Sequence, residues 1–183
     1  MIPNLERRRS LALLLDGYAD AFPRELEVVA RFREFVASGE VLQGNSNRGR
    51  HITASTWIVN PARDKALLTH HANLHKWVQL GGHTDEGEDW TSAALREAHE
   101  ESGLAELRLL QPGLYDLDIH EIPARPGQVA HDHYDLRFLV EADDAIALTV
   151  SEESHDLAWV LLAKLENYTQ EESQLRMKRK LYL

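Results

Sequence analysis

Apolar residues in the first forty positions recur at helical spacing. Leu11, Leu14, Leu15 and Tyr18 lie three or four apart, and so do Leu26, Val29, Phe32 or Ala30, and Val36. That interval gathers side chains on one face of a helix. Phe22-Pro23 interrupts the pattern, with Pro23 suited to a first helical turn, and Gly39 stops it. Two helices are predicted within residues 5–38. After a polar loop, Gly44 to Arg50, the pattern alternates and β-branched residues become frequent. Strands are predicted over 51–59, 65–71 and 76–80, with Asn60 to Asp64 as a turn. A helix follows, then strands over 107–110, 114–122 and 131–141. The last two are joined by a Pro-Gly loop between Ala124 and Gln128. A final strand over 158–161 leads into a terminal helix, 161–181, that ends in Lys178-Arg179-Lys180. This order of strands, helix, strands, helix fits an α/β sandwich with a mixed sheet. Residues 1–48 form a two-helix N-terminal extension, and residues 49–183 form the main domain with its C-terminal helix. The extension reads either as a hairpin packed on the domain or as an arm for dimerisation or for covering substrate.

The central helix carries the densest chemistry. Asp89 suits its N-cap and Gly103 its C′ position. Glu97, Glu100 and Glu101 fall at i, i+3 and i+4, on one face within an arc of about 100°. Ala94, Leu95 and Ala98 take the neighbouring arc and face a core. Crowded carboxylates raise one another's pKa, and a divalent cation relieves the repulsion. Oxygen-only ligands point to Mg²⁺ or Mn²⁺ rather than zinc. Arg96 is placed to pair with Glu88 or with the cluster, and Leu80-Gly81-Gly82 permits a sharp bend and a close backbone approach.

Gly82, Glu88, Arg96, Glu97, Ala98, Glu100, Glu101, Gly103 and Leu104 fill the pattern G-x5-E-x7-R-E-U-x-E-E-x-G-U, with U apolar. This segment resembles the Nudix box at every defined position, and is so identified. The resemblance implies a Nudix-type α/β/α sandwich with a mixed sheet. It also implies divalent-metal-dependent hydrolysis of a pyrophosphate bond in a nucleoside diphosphate linked to another moiety: a nucleotide sugar, an ADP-ribose-like compound or a nucleoside triphosphate. On that basis Glu97, Glu100 and Glu101, with the Gly82 carbonyl, are the expected ligands of Mg²⁺ or Mn²⁺. More than one ion is expected when substrate is bound. Glu97, Glu100 and Arg96 are the expected catalytic residues, with Glu97 a ligand or general base oriented by Arg96, and Glu88 in support. The resemblance also admits a Nudix-fold nucleotide-binding or regulatory protein without catalysis, although such proteins usually lose box carboxylates that this chain keeps. Isomerases of the isopentenyl diphosphate type share the fold but use a cysteine, and there is none here.

Composition narrows the partners. The formal net charge of −10 argues against nucleic acid and leaves a small-molecule diphosphate, reached through metal, as the partner. A homodimer is compatible with the sequence. Zero cysteines exclude disulfides and thiolate sites. Arg7-Arg8-Arg9 before Leu11 to Leu15 resembles a signal peptide, but the apolar run is too short. No stretch is long enough to span a membrane, so the cytoplasm is the expected location.

Ten histidines supply the second group of candidates. If the hairpin centres on Pro126-Gly127, His120 opposes His133 and Asp118 opposes Asp135, with His131 one pair further on. These could bind a transition metal, line the substrate pocket or form a polar sheet face. His83, directly after the glycines, belongs at the mouth of the site. His83, His120, His131 and His133 are the substrate-binding candidates, together with Glu153, or Glu152, in the loop before the last strand. His51, His70, His71, His75 and His99 read as surface or locally satisfied residues. Arg48 and Arg50 could meet phosphate or lie in a solvated loop. Trp57, Trp77, Tyr115 and Tyr134 could stack on a base but suit a core better. No substrate marker appears outside the box: fifteen residues past Leu104 stand Ile119 and then His120, where ADP-ribose enzymes often carry a proline and dinucleoside-polyphosphate enzymes a tyrosine.

Overall fold

The computed structural model of the protein describes residues 4–44, 49–125, 127 and 129–183. The elements are α1 (Asn4–Ala21), α2 (Leu26–Ala37), β1 (Arg50–Val59), β2 (Lys65–His71), β3 (Lys76–Val78), β4 (Leu80–His83) and α3 (Trp90–Ser102). They continue with β5 (Arg108–Leu109), β6 (Asp116–Ile122), β7 (His131–Glu141), β8 (Ser154–Leu161), a 3-10 turn (Leu162–Asn167) and α4 (Glu172–Lys180). No helix among the described residues is long and apolar enough to cross a membrane.

One mixed sheet runs β3-β2-β1-β7-β5, with β4 also on β1, β6 also on β7, and β8 also on β2. Among the described residues only β1 and β7 pair in parallel. Strand β1 is shared along its length: Ile58 and Val59 pair with β2, while Thr53 to Thr56 pair with β4. This fork carries the two glycines of β4 to the middle of β1.

The alternation along β1 sorts its two faces. Ile52 and Ala54 join Trp90, Ala93 and Ala94 of α3 in one core. Leu11, Leu15 and Tyr18 of α1 and Phe32 and Phe35 of α2 complete that core. On the opposite face Trp57 and Val59 pack against Leu162, Leu165 and Met177. The N-terminal hairpin therefore lies against the domain and shares its core, the first of the two arrangements open at the sequence level. A buried ionic group fastens it. Lys180 Nζ donates to Tyr18 Oη at 2.6 Å, to Glu25 Oε2 at 3.0 Å and to Asp116 Oδ1 at 2.7 Å.

Several boundaries differ from the sequence pattern. The strand expected over 76–80 is two strands divided at Gln79, because β3 serves β2 and β4 serves β1. Pro23 lies in the turn between the helices, not in the first turn of α2. The last strand starts at Ser154, earlier than the pattern predicts, because Ser154, His155 and Asp156 are polar and hide the period although Ser154 and Asp156 already pair with β2. The terminal helix is interrupted between Asn167 and Glu172, where Thr169 Oγ1 caps the Glu171 amide at 3.2 Å. Arg48 and Pro126 lie outside the described residues.

Candidate active site

Local chemistry starts and stops α3. The Asp89 carboxylate accepts from the Thr91 and Ser92 amides at 3.0 and 3.1 Å, which satisfies two otherwise unpaired N–H groups. Gly103 closes the helix in the left-handed region at φ 72°. Between these caps, Ala93, Ala94 and Ala98 are buried and fix the rotation of the helix. The carboxylates then point to the edge where β4 begins.

Gly81 and Gly82 are what that edge requires. A side chain on Gly81 would lie 2.4 Å from the Ser55 α-carbon, and its φ of 151° already disfavours one. Its amide donates to Glu101 Oε2 at 2.8 Å. A Cβ on Gly82 would sit 2.6 Å from Glu97 Oε2, so the Glu97 carboxylate lies directly over the Gly82 backbone. Arg96 locks the other side. It grips Glu88 with two parallel bonds of 2.9 and 3.0 Å, and reaches Glu97 at 2.9 Å, Glu100 at 3.1 Å and the His83 carbonyl at 3.0 Å. Such a fork holds three carboxylates and a strand end in fixed relation.

Burial and mutual repulsion shape the protonation of this group. Glu101 is 5% exposed, and burial pushes its carboxyl up to about 8 from an ordinary 4.5. The Gly81 amide works against that rise, and the charges of Glu97, Glu153 and Glu100 add to it. Burial likewise raises Glu97, against the pull of Arg96. Glu88 is lowered by its bonds to Arg96. The negative charge of Glu153, in the turn before β8, adds to the rise at both Glu97 and Glu101.

A further contributor was invisible in the sequence. Arg7, in the basic run that resembles a signal peptide, is 1% exposed. Its guanidinium stacks 3.8 Å above Trp90 and donates to the Asp85 carbonyl at 2.7 Å. The N-terminal hairpin thus buttresses the loop that leads into α3. No spacing rule links an arginine in one helix to a loop nearly eighty residues on.

The predicted β6–β7 register is present: His120 pairs with His133, Asp118 with Asp135, and His131 with Ile122 one step beyond. Asp135, however, belongs to another network, and Asp118 is shared between that network and the histidines. Asp135 accepts from Thr53, Ser55, Gln79 and Arg137 at 3.0, 2.7, 3.0 and 2.8 Å. Asp118 keeps a contact with the histidines, its Oδ2 lying 3.1 Å from His120 Nδ1, and is also engaged by Arg137 and Arg176, at 3.2 and 3.3 Å. The histidines are joined by His51, read from sequence as a surface or locally satisfied residue and found fully buried. Its ring lies 4.6, 5.0 and 5.1 Å from those of His133, His83 and His131. Parallel pairing of β1 with β7 sets His51 opposite His133. His99 is locally satisfied as expected, 2.9 Å from the Leu104 carbonyl. Arg50 is taken up by Glu34 and Glu40 and is not free to meet phosphate. Trp57, Tyr115 and Tyr134 are core residues, and Trp77 packs on His70 and Tyr168.

The helix that carries these carboxylates sits in a matched domain. The NUDIX domain family covers residues 49–181. The chain belongs to the Nudix hydrolase family. No curated protein sequence matches it. Among solved structures, a NUDIX-family hydrolase from Clostridium perfringens is 29% identical, with a TM-score of 0.56 over 73% of this chain and 97% of that one. A C. elegans Ap4A hydrolase complex gives 20% identity and a TM-score of 0.58 over 72% and 94%. The E. coli dihydroneopterin triphosphate pyrophosphohydrolase gives 16% and 0.55 over 76% and 97%. At those identities the last two establish the shared Nudix fold.

The Nudix box geometry makes Gly82 a sensitive position. Gly82→Ala is expected to leave stability nearly unchanged, since the obstructing atoms end a flexible side chain. The Glu97 carboxylate must move aside, however, and a displacement of that kind lowers kcat by about 100-fold. Denaturation midpoints and steady-state kinetics on the purified variant check both halves.

Proposed function

We propose that this protein hydrolyses a pyrophosphate bond in a nucleoside diphosphate linked to another moiety, with Mg²⁺ or Mn²⁺ as cofactor. The observation that carries the reading is the set of Glu97, Glu100 and Glu101 held around the Gly81-Gly82 backbone by Arg96. Nudix hydrolases generally use divalent metals, and this donor set fits one. It is all oxygen, it is crowded, and two of its members have raised pKa values. Glu97, Glu100 and Glu101, with the Gly82 carbonyl, would hold the cation. When bound, the cation supplies charge neutralisation at the phosphoryl oxygens and lowers the pKa of coordinated water.

The chain's own residues do the remaining work. Arg96 fixes the carboxylate positions through Glu88 and the His83 carbonyl. Glu97, raised by burial, is suited to take a proton from the attacking water. His83, at the end of β4, continues from the glycines into the histidine face of β6 and β7. His83, His120, His131 and His133 form the wall we assign to the substrate, with Glu153 closing the site from the turn before β8.

The test is a hydrolysis panel of nucleoside triphosphates, nucleotide sugars, ADP-ribose, dinucleoside polyphosphates and dihydroneopterin triphosphate, with Mg²⁺ and with Mn²⁺. Metal-dependent turnover of one class supports the reading and names the substrate. Binding of a nucleotide without turnover, by folded and metal-loaded protein, overturns it in favour of a non-catalytic nucleotide-binding protein.

The raised Glu101 pKa has a second measurable consequence. Its folded value lies above its unfolded one, so its contribution to stability is complete below about 4.5 and is lost as pH rises through about 8. Metal-free protein is expected to lose thermal stability across that window, and Mg²⁺ to restore more of it the higher the pH. Melting curves in chelator and in Mg²⁺ at several pH values check the sign. A Mg²⁺ effect that shrinks as pH rises contradicts it.

A further inference from the structure

Behind the carboxylate site, three imidazoles converge without a carboxylate among them. His51 on β1 and His131 and His133 on β7 each present a ring nitrogen, and these atoms all lie within 4.8 Å of one another. His51 is fully buried, and neither of its ring nitrogens has a hydrogen-bond partner among the described residues. A neutral imidazole carries one donor and one acceptor, and leaving either unpaired in the interior is costly. Something outside the described contacts is needed to satisfy this ring.

Tautomer logic narrows what it is. His131 Nδ1 lies 2.8 Å from the Val129 carbonyl, which can only accept, so the His131 proton is on Nδ1. The Nε2 lone pair then points at His133 Nε2, 3.2 Å away. A proton on His133 Nε2 would satisfy that pair but leave His51 orphaned. One cation between the three rings takes the Nε2 lone pair of His131 and one lone pair each from His51 and His133. The backbone carbonyl behind His131 is also the outer partner that orients metal-bound histidines.

We propose that His51, His131 and His133 form a site for a zinc-class divalent transition cation, separate from the carboxylate site on α3. Three neutral imidazoles select a borderline d-block ion such as Zn²⁺ or Co²⁺ over Mg²⁺. A tetrahedral ion so held keeps one position for water or a substrate atom, on the wall bounded by His83 and His120. The site stands on the geometry of the three rings and does not depend on the hydrolase reading.

The test uses full-length protein freed of metal by chelation and titrated with Zn²⁺ and Co²⁺ in excess Mg²⁺, which occupies the carboxylates. One equivalent of Zn²⁺ is expected to bind, and Co²⁺ to give the intense visible absorption of a four-coordinate nitrogen site. Both should persist in Glu101→Gln, while His51→Ala and His133→Gln weaken binding by at least about 100-fold. His133 is the less buried of the two, so its variant serves if His51→Ala does not fold, as circular dichroism would report. Absence of Zn²⁺ binding under excess Mg²⁺, weak octahedral Co²⁺ absorption alone, or binding lost in Glu101→Gln but kept in His133→Gln would each overturn the site. These outcomes are read from metal binding, so they are independent of the hydrolysis panel.

Discussion

Glu101→Gln is expected to abolish hydrolysis while leaving the protein folded. The substitution keeps the side-chain shape, and the amide oxygen can still accept from the Gly81 amide now bonded at 2.8 Å to Glu101. It removes the charge that would hold the cation. The expected loss in kcat/KM is about 1000-fold or more, or about 4 kcal/mol of barrier. Stability should move the other way in metal-free protein at high pH, because the buried carboxylate that burial pushes up to about 8 is gone. The variant should also lose the pH dependence of the Mg²⁺ stabilisation. Glu100→Gln tests the same assignment at a more exposed position, since that side chain is 56% accessible and is bonded only by Arg96 among the described residues. Steady-state kinetics, chelator-controlled melting and circular dichroism together separate lost chemistry from lost structure. Full activity in both variants would mean that the box carboxylates are not the site.

The features legible in the sequence are those set by local chemistry. The extent of α3 followed from Asp89 and Gly103, which cap it by contacts within three or four residues. The Arg96 grip on Glu88 followed from spacing in a helix and the loop before it. Register between β6 and β7 was legible because a hairpin fixes it by symmetry about its turn. What escaped notice depends on partners distant in the chain. Parallel pairing of β1 with β7 joins residues about eighty positions apart, such as Thr53 and Asp135. No turn fixes that register, so His51 could not be placed beside His133. Distance in the chain likewise hid the arginines that engage these aspartates, Arg137 of β7 on Asp118 and Asp135 and Arg176 of α4 on Asp118. The split at Gln79 was hidden because both halves are extended and only their partners differ. Arg7 looked like part of a leader because a basic run before leucines gives no sign of the ring it covers.

Asp116→Asn is expected to be the most destabilising single substitution away from the apolar core. Asp116 is fully buried at the start of β6. Arg176 grips it with two bonds of 2.8 Å, Lys180 reaches it at 2.7 Å, and Arg137 at 3.2 Å. Burial works to raise its pKa, but the bonds from Arg176 and the charges of Arg137 and Lys180 prevail, and the carboxyl stays below its ordinary range. Its contribution is therefore present above the unfolded value of 3.8 and is lost as pH falls through the lower folded value. Asparagine keeps the shape and removes the charge. Lys180 and Arg137, each 2% exposed at the side chain, then lose a buried counterion. Breaking a buried pair from one side costs about 3–5 kcal/mol, because the remaining charge stays desolvated. Glu25 still faces Lys180 at 2.9 Å, and Asp135 still faces Arg137 at 2.8 Å, which sets the expectation at the lower end of that range. The decisive comparison adds Lys180→Met. If the network acts as a unit, the double variant is less destabilised than Asp116→Asn alone, since the second change removes an orphaned cation. Chemical denaturation at neutral pH measures both. A loss of under about 0.5 kcal/mol for Asp116→Asn, the range of ordinary surface changes, would show that the hairpin is held by its apolar face alone. A large loss that Lys180→Met relieves would show that charge fastens the N-terminal hairpin to α4 and the sheet.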